Sequence, residues 1–465
     1  MSIYFYNTLS RQKEEFRPIE EGVVRLYTCG PTVYNFAHIG NYRAFVFEDL
    51  LRRFLKFKGF HVIQVMNITD VDDKIITAAN REGVSIREFT EPFRQAFMED
   101  LTTLGIEPAE YYPRATEHIN EMVALIETLL KKGVAYRSED GSIYFKVSEF
   151  PRYGQLANLN VSEMRRGNRV ANDSYEKEEI RDFALWKAWK PEDGAVFWET
   201  SLGKGRPGWH IECSAMSMKY LGRHFDIHTG GVDNIFPHHE NEIAQSEAAT
   251  GEKFVNYWMH CEFLLVNDEK MSKSIGNIIY LRDLVKKGYN PTAIRLTLLG
   301  THYRQKLNFS FEKLEESGKI ITRLRDFKKS LEGEFPTGNA SAMEIVEKSE
   351  ADFGAALDDD LNISNALAAV FKLLHEVNLY RQKTPLTQAD IELIRQSLKR
   401  IDSVLNILSE PHEVLSEEER KLIDARNQAR RERNWAEADR LRNLLLERGI
   451  ILEDTPKGTT WKRKI

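Results

Sequence analysis

The sequence predicts an α/β chain in which a Rossmann-like parallel-sheet domain is split by an insertion and followed by a helical bundle and a small mixed α/β C-terminal domain. Three observations carry this prediction. A strand, an amphipathic helix and a second strand succeed one another between Val23 and Met66, which makes a βαβ unit and hence a parallel pair. The alternation lapses after Met66 and returns around Phe225-Asp-Ile-His228 and Val255-Asn-Tyr-Trp258. From about Phe311 to Leu408 the apolar residues keep helical spacing almost throughout, as in a bundle.

Val23-Val-Arg-Leu-Tyr-Thr28 reads as the first strand and leads to Cys29-Gly-Pro and a turn ending at Gly40. Phe47, Leu50, Leu51, Phe54 and Leu55 then recur at helical spacing, with Gly59 as the stop. His61-Val-Ile-Gln-Val-Met66 is the second strand. Between the halves of the sheet lie amphipathic helices, one opened by Ser85 and Glu88 at capping-box spacing. A hairpin follows, with Asp140-Gly141 at its turn between Val134–Tyr136 and Ile143–Val147. Cys261-Glu-Phe-Leu-Leu-Val266 is strand-like. Glu410-Pro-His reads as a linker, and a last helix pair from about Glu417 to Glu447 leads to the extended Ile450–Asp454 and a Pro456-Lys-Gly turn. The expected division is a Rossmann-type parallel-sheet domain over 1–305 with an insertion at about 110–205, a helical linker bundle over 306–410 and a terminal domain over 415–465.

A length of 465 residues fits about three domains of ~150 residues each. No run approaches the ~20 apolar residues of a membrane span, so no membrane partner is expected. Met1-Ser-Ile-Tyr-Phe-Tyr-Asn-Thr8 lacks the charged region and apolar run of a secretory signal, and a cytoplasmic location is expected. Cys29, Cys213 and Cys261 lie far apart, which disfavours a disulfide framework and leaves metal or substrate chemistry open. The net charge of −6 hides an asymmetry: Arg420–Ile465 holds thirteen Lys/Arg against seven Asp/Glu. That local +6 on an acidic body suits a polyanion, although a solvated charge-rich hairpin has the same composition.

Two segments suit phosphate chemistry. In Gly30-Pro-Thr-Val-Tyr-Asn-Phe-Ala-His38-Ile39-Gly40-Asn41, Gly40 lets a nucleotide approach the backbone. His38 and Asn41 present donors beside a helix N-terminus. In Lys270-Met-Ser-Lys-Ser274, two lysines three apart on a loop can follow charge onto a leaving pyrophosphate. Taken singly, the first reads more readily as a helix cap or packed residue and the second as an exposed polar loop. His238 and Glu242, four apart, would share one helix face and grip one ion, and Cys29 and Cys213 could complete the ligand set. Buried cysteines beside a capped helix would give the same spacing. Near the end, Trp435 and Asp439 lie one helical turn apart among arginines, which suits stacking on an unpaired base or packing within the hairpin.

Taken together and in this order, the two phosphate motifs resemble the signatures of the class I aminoacyl-tRNA synthetases, His-Ile-Gly-His and Lys-Met-Ser-Lys-Ser. The resemblance implies that His38, Asn41, Lys270 and Lys273 stabilise adenylate formation, with Asn41 departing from the usual histidine. The chain is most similar to the cysteinyl-tRNA synthetases, through Asn67-Ile-Thr-Asp-Val-Asp-Asp-Lys74 and Arg206-Pro-Gly-Trp-His-Ile-Glu-Cys213. This likeness implies one zinc ion per chain on Cys29, Cys213, His238 and Glu242, and magnesium entering with ATP. It implies Trp209, Thr69 and His228 about the cysteine, and Gly40, Gly231, Asp233 and Lys273 about ATP. Arg430, Trp435, Asp439 and Asp454 match base-contacting positions of a domain that reads the anticodon of the tRNA for cysteine. The segment Phe353-Gly-Ala-Ala-Leu-Asp-Asp-Asp-Leu-Asn362 falls in the expected linker bundle, and a monomer is expected. Two rivals are a ligase that joins cysteine to an amino sugar, against which the C-terminal tail argues, and a non-catalytic zinc-stabilised RNA binder, against which the intact Lys270–Ser274 motif argues.

Overall fold

The computed structural model describes residues 2–159, 182–272, 275–408, 417–432, 434–448, 450–455 and 458–463. An antiparallel pair, β1 (Tyr4–Asn7) and β2 (Gln12–Glu15), precedes β3 (Val23–Thr28). Helix α1 (Ile39–Phe57) and strand β4 (His61–Met66) complete the βαβ unit, with Val23 opposite His61 and Thr28 opposite Met66 in parallel. Beyond α1, Gly59 turns the chain at φ 94°, a left-handed conformation that is cheap only without a Cβ. Then come α2 (Asp73–Glu82) and α3 (Ile86–Thr103), the latter opened by the reciprocal Ser85–Glu88 capping box.

The insertion begins with α4 (Ile119–Lys131) and continues as a five-stranded antiparallel sheet. Its strands are β5 (Ala135–Arg137), β6 (Ile143–Phe145), β7 (Phe183–Ala188), β8 (Trp198–Thr200) and β9 (Gly203–Pro207). The main sheet resumes through α5 (Trp209–Leu221), β10 (Phe225–Gly231), α6 (Glu240–Thr250) and β11 (Val255–Cys261). Its order is β11-β10-β3-β4, all parallel. From β3 the chain moves to one side and from β10 to the other, so the topological switch falls between them, where open α/β sheets bind ligands.

The strand expected over Cys261–Val266 is broken. β11 stops at Cys261 because Glu262 N–H donates to Tyr303 O (2.7 Å), turning the chain toward residues 303–309. β12 (Leu264–Val266) therefore joins a separate sheet with β13 (Glu269–Lys270) and β14 (Leu307–Phe309). Helices α7 (Leu281–Lys286) and α8 (Pro291–Leu299) close this region. The bundle comprises α9 (Phe311–Ser330), α10 (Met343–Asp358), α11 (Ile363–Lys383) and α12 (Gln388–Leu405). The last helix pair is α13 (Glu417–Arg431) and α14 (Trp435–Glu447), followed by the hairpin β15 (Ile450–Thr455) and β16 (Gly458–Arg463). The linker at Glu410-Pro-His and the turn at Pro456-Lys lie outside the described residues. Among the described residues, no helix is long and apolar enough to cross a membrane.

Alternation along the parallel strands divides the core. Val24, Leu26, Val62 and Met259 pack with α1 on one face, while Tyr27, Val65 and Trp258 pack with α4, α5 and α6 on the other. Each large apolar side chain so buried contributes roughly 2 kcal/mol. The α1-side cluster runs without a break into the bundle through Phe353, Leu373 and Ile394. The C-terminal region has its own small cluster of Ile423, Leu445, Ile450 and Leu452.

Candidate active site and metal centre

The four parallel strands all end at one cavity of about 570 Å³, a volume suited to small ligands. Cys29 follows β3, Asn67 and Thr69 follow β4, Gly230 and Gly231 end β10, and Cys261 ends β11. Cys29 N–H donates to Thr229 O (3.3 Å), joining β3 to β10 at the switch point. The cavity floor carries Cys29, Cys213 and His238, and its rim carries His38, Gly40, Asn41, Asp233 and Lys270.

At the floor and just behind it, ligand atoms of Cys29, His238, His239 and Glu242 all lie within 4.8 Å of one another, a group that takes in His239 where the sequence pointed to Cys213. Cys213, on the second turn of α5, is hydrogen-bonded to Cys29 through sulfur. His238 does not lie on α6 as its spacing from Glu242 suggests. Residues Ile235–His239 form an irregular turn ahead of that helix, in which Phe236 is extended at φ −137° and ψ 132°. The two groups still meet, with Nε2 to Oε1 at 3.1 Å.

His239, which the sequence reading missed, has Nε2 3.2 Å from Cys29 Sγ and Nδ1 2.8 Å from His260 Nε2. The neighbouring-histidine doublet was the available signal. His238 is oriented by His210, Nδ1 to Nδ1 at 3.0 Å, and by Trp209, whose ring stacks at 4.1 Å. Trp209 also lines the cavity. His228, expected beside the substrate, is fully buried behind the floor and contacts Glu242 Oε2 at 3.0 Å. It occupies that place because β10 directs it toward Trp258, on which it stacks at 4.6 Å. Thr69 lines the cavity, yet its hydroxyl already donates to Glu212 (3.0 Å) and accepts from Asn67 (3.2 Å).

The electrostatics of the floor fit a metal ion. Its hydrogen bond to Cys213, together with burial, holds the Cys29 thiol well above its ordinary range. The bond from Cys29 pulls Cys213 down, and burial nonetheless leaves it raised. Burial pushes Glu242 up to about 8 and His238 down to about 3. Glu242 Oε1, wholly buried, has His238 Nε2 at 3.1 Å but out of hydrogen-bond alignment, an expensive arrangement for a carboxyl oxygen. A divalent cation would satisfy that oxygen while drawing thiolate and imidazole onto itself. The donor set of sulfur, nitrogen and oxygen is one that can hold such an ion.

At the rim, His38 is the N-cap of α1: its Nδ1 accepts Asn41 N–H (3.3 Å), and Asn41 Oδ1 accepts His38 N–H (3.0 Å). Asn41 therefore closes a capping box, leaving its Nδ2 as a donor at the cavity edge. A Cβ on Gly40 would sit 2.5 Å from Met271 Cε and 3.0 Å from His38 Nδ1, so any larger residue would have to displace Met271 and crowd His38. A Cβ on Gly231 would collide with the Asp233 carboxylate. Lys270 lies at the end of β13 with Nζ 4.6 Å from the Phe263 ring. Asn277 ties the stem of this loop, accepting from Ser272 N–H at 2.8 Å. Ile39 N–H donates to Ile279 O at 2.9 Å, which joins the loop's far end to the start of α1. Lys273 and Ser274 lie outside the described residues.

The predicted tRNA-facing residues stand apart from this cavity. Trp435 opens α14 and is 58% exposed, and Asp439 is exposed four residues further on the same face. Arg430 is half-buried near the end of α13, and Asp454 lies on β15.

Three protein families match the chain. The class I (C) tRNA synthetase catalytic domain matches residues 15–319, the DALR domain 352–410, and the cysteinyl-tRNA ligase anticodon-binding domain 412–461. Among curated relatives, a "Cysteine--tRNA ligase" of Brachyspira hyodysenteriae is 49% identical over 477 residues, covering 99% of each chain. Another of Protochlamydia amoebophila is 48% identical, covering 99% of this chain and 97% of that one. The solved structure of Mycobacterium tuberculosis methionyl-tRNA synthetase with methionyl-adenylate superposes at a TM-score of 0.60 and 16% identity, covering 90% of this chain and 96% of that one. That likeness places the fold among class I synthetases, and with the identities over nearly the full length it follows that this chain belongs to the cysteine–tRNA ligase family.

Proposed function

We propose that the chain activates cysteine with magnesium-bound ATP and transfers it to the 3′ end of the tRNA for cysteine. The observation that carries this reading is the convergence of Cys29, Cys213 and His238 on the floor of the cavity whose rim holds His38, Asn41 and Lys270, with the ligand atoms of Glu242 and His239 within 4.8 Å of those of Cys29 and His238. In the first step a cysteine carboxylate oxygen bonds to the α-phosphorus of ATP. The bond to the β-phosphate bridging oxygen breaks, and pyrophosphate leaves with its electron pair. His38, at the cap of α1, and Lys270, on the facing loop, donate to the phosphates as charge builds, and Lys273 joins them. Such preorganised donors favour the transition state over the ground state. Asn41 adds a neutral donor, and Gly40, Gly231 and Asp233 shape the nucleotide cradle. In the second step a terminal ribose hydroxyl of the tRNA takes the cysteinyl group and AMP leaves.

Cys29, Cys213, His238 and Glu242 would hold one zinc ion, with His239 close enough to adjust the set. Zinc, when bound, lowers a thiol's pKa and prefers sulfur to a serine hydroxyl. A site committed to one polar contact of this kind can reject an analogue lacking it by about 10⁴–10⁵. Trp209 would wall the substrate pocket, while Thr69 and His228 would support it from behind through Glu212 and Glu242. Arg430, Trp435, Asp439 and Asp454 would contact the anticodon. The division into a catalytic part over 1–305, a bundle over 306–410 and an anticodon-binding part over 415–465 is part of this reading, as are a monomeric state and a cytoplasmic location. The test is charging of bulk tRNA by the purified chain with ATP, magnesium and each amino acid in turn. Charging with cysteine alone is expected, and charging with another amino acid, or none, overturns the reading.

A further inference from the structure

From the geometry of the bundle we infer that Asp360 is a positioning residue for adenylate formation, although it lies outside the ATP cavity. The inference rests on the function proposed above. Asp360 occupies the turn between α10 and α11, within the Asp358-Asp-Asp-Leu-Asn362 run, and is wholly buried. Asp360 and Leu361 are both left-handed, at φ 59° and 55°. Aspartate tolerates that conformation, whereas for leucine it costs about 1–2 kcal/mol. Such a turn persists only where its surroundings over-determine it.

Those surroundings belong to the catalytic part of the chain. Asp360 Oδ1 accepts from Tyr6 N–H at 2.9 Å and from the Tyr303 hydroxyl at 2.5 Å. Oδ2 accepts from Arg304, at 2.8 Å from Nε and 2.7 Å from Nη2. Its main-chain carbonyl accepts from His302 Nε2 at 2.8 Å, and its N–H donates to Tyr4 O at 2.9 Å. One residue thus anchors three successive side chains of the segment 302–304 and the first strand.

That segment reaches the ATP site through Arg43. The Arg43 guanidinium, 2% exposed, donates to the carbonyls of Leu298, Thr301 (2.7 Å) and His302 (2.9 Å). Arg43 stands five residues beyond His38 in α1, and Phe47, one turn further, stacks on Tyr303 at 4.4 Å. The path is therefore direct: Asp360 fixes the segment, the His302 carbonyl and those of Leu298 and Thr301 just before it hold Arg43, and Arg43 stands near the beginning of the helix capped by His38. A reacting group displaced by ~1 Å can lose ~10²-fold in rate, so looseness in this brace reaches chemistry even with the cavity walls intact. If instead the bundle serves only to bridge to tRNA, Asp360 matters for charging alone.

The experiment is cysteine-dependent ATP–pyrophosphate exchange by the full chain without tRNA, normalised by active-site titration. Asp360→Asn keeps the size and the tolerance for a left-handed backbone but removes the charge. Its kcat per active site is expected to fall about tenfold, with KM for cysteine within about twofold. Asp359→Asn is the control: Asp359 is exposed and pairs with Lys13 at 2.5 Å, and its exchange should match wild type. Arg43→Lys should fall similarly, and the double variant should be no worse than the poorer single one, since both act through one segment. Should Asp360→Asn fail to fold, Tyr303→Phe replaces it, with an expected fall of about threefold in kcat. Wild-type exchange per active site in the variant, with or without loss of tRNA charging, overturns the inference, as do additive losses in the double variant. A wild-type chain unable to exchange with cysteine strikes the underlying function instead.

Discussion

On the function proposed above, the floor of the cavity and the C-terminal helix pair would solve recognition in opposite ways. At the floor and just behind it, Cys213, His238, His239 and Glu242 are 2% exposed or less, and the histidines and Glu242 are fixed by neighbours such as His210, His228 and His260. At the other end, Trp435 is 58% exposed on a helix resting on a core of a few apolar residues. A small substrate that differs from a competitor by one atom needs groups that cannot rearrange, and burial supplies that rigidity. An anticodon offers whole base faces and phosphates, so exposed aromatic and charged groups suffice. Damage to the floor should therefore abolish the first chemical step, whereas damage to the tail should spare it.

The sharpest way to break this contrast is Cys213→Ser. Cysteine-dependent pyrophosphate exchange should fall by about 10³-fold or more, and the metal content of the purified protein, read by mass spectrometry, should drop with it. Full activity without metal removes the basis of the contrast. Next in size is Lys270→Ala, which acts at the rim. Its kcat for exchange should fall about 10²-fold with KM for cysteine little changed; a rise in KM alone would make Lys270 a ground-state contact. Trp435→Ala should lower kcat/KM for tRNA by about tenfold to a hundredfold, as loss of one stacked base does, with exchange at the wild-type rate. Equal loss in both assays would place Trp435 in structural support instead.

The last effect concerns stability rather than rate. Glu48, fully buried on α1, accepts from Thr229 (2.9 Å), and burial pushes it up to about 8. Because its folded pKa is raised, the native state holds a proton that the unfolded chain releases above about 4.5. Its contribution is complete below that pH and is lost as pH rises through about 8. Between about pH 5 and 8, wild type should lose roughly 2–4 kcal/mol relative to Glu48→Gln in denaturant unfolding. Parallel pH profiles would contradict this. Trp435→Ala, which keeps Glu48, should follow the wild-type pH profile.

The same contrast explains what was legible in the sequence. The bounds of β3 and β4 could be read because buried parallel strands are near-continuous apolar runs ended by turn residues. The capping box at Ser85 and Glu88 is local chemistry and was equally plain. The pocket floor was only partly readable. Its residues come from the ends of separate strands and from α5, and spacing along the chain does not report which side chains converge. His239 entered the cluster through an irregular turn that helical spacing does not anticipate. His228 moved behind the pocket because strand alternation directs it at Glu242 and Trp258. Asn41 looked like a weakened catalytic residue, and the structure gives it a second task in capping α1. Asp360 stood out only as part of an acidic run, since its partners at Tyr6 and Tyr303 lie 354 and 57 residues away.

The central claim is that a metal held by Cys29, Cys213, His238 and Glu242 selects cysteine. Its most direct test is pyrophosphate exchange with cysteine and with serine, measured before and after metal is stripped and again after zinc is restored. Exchange with cysteine should exceed that with serine by about 10⁴-fold or more, collapse on stripping and return with zinc. Exchange that survives metal removal, or that serine supports nearly as well, would contradict the account.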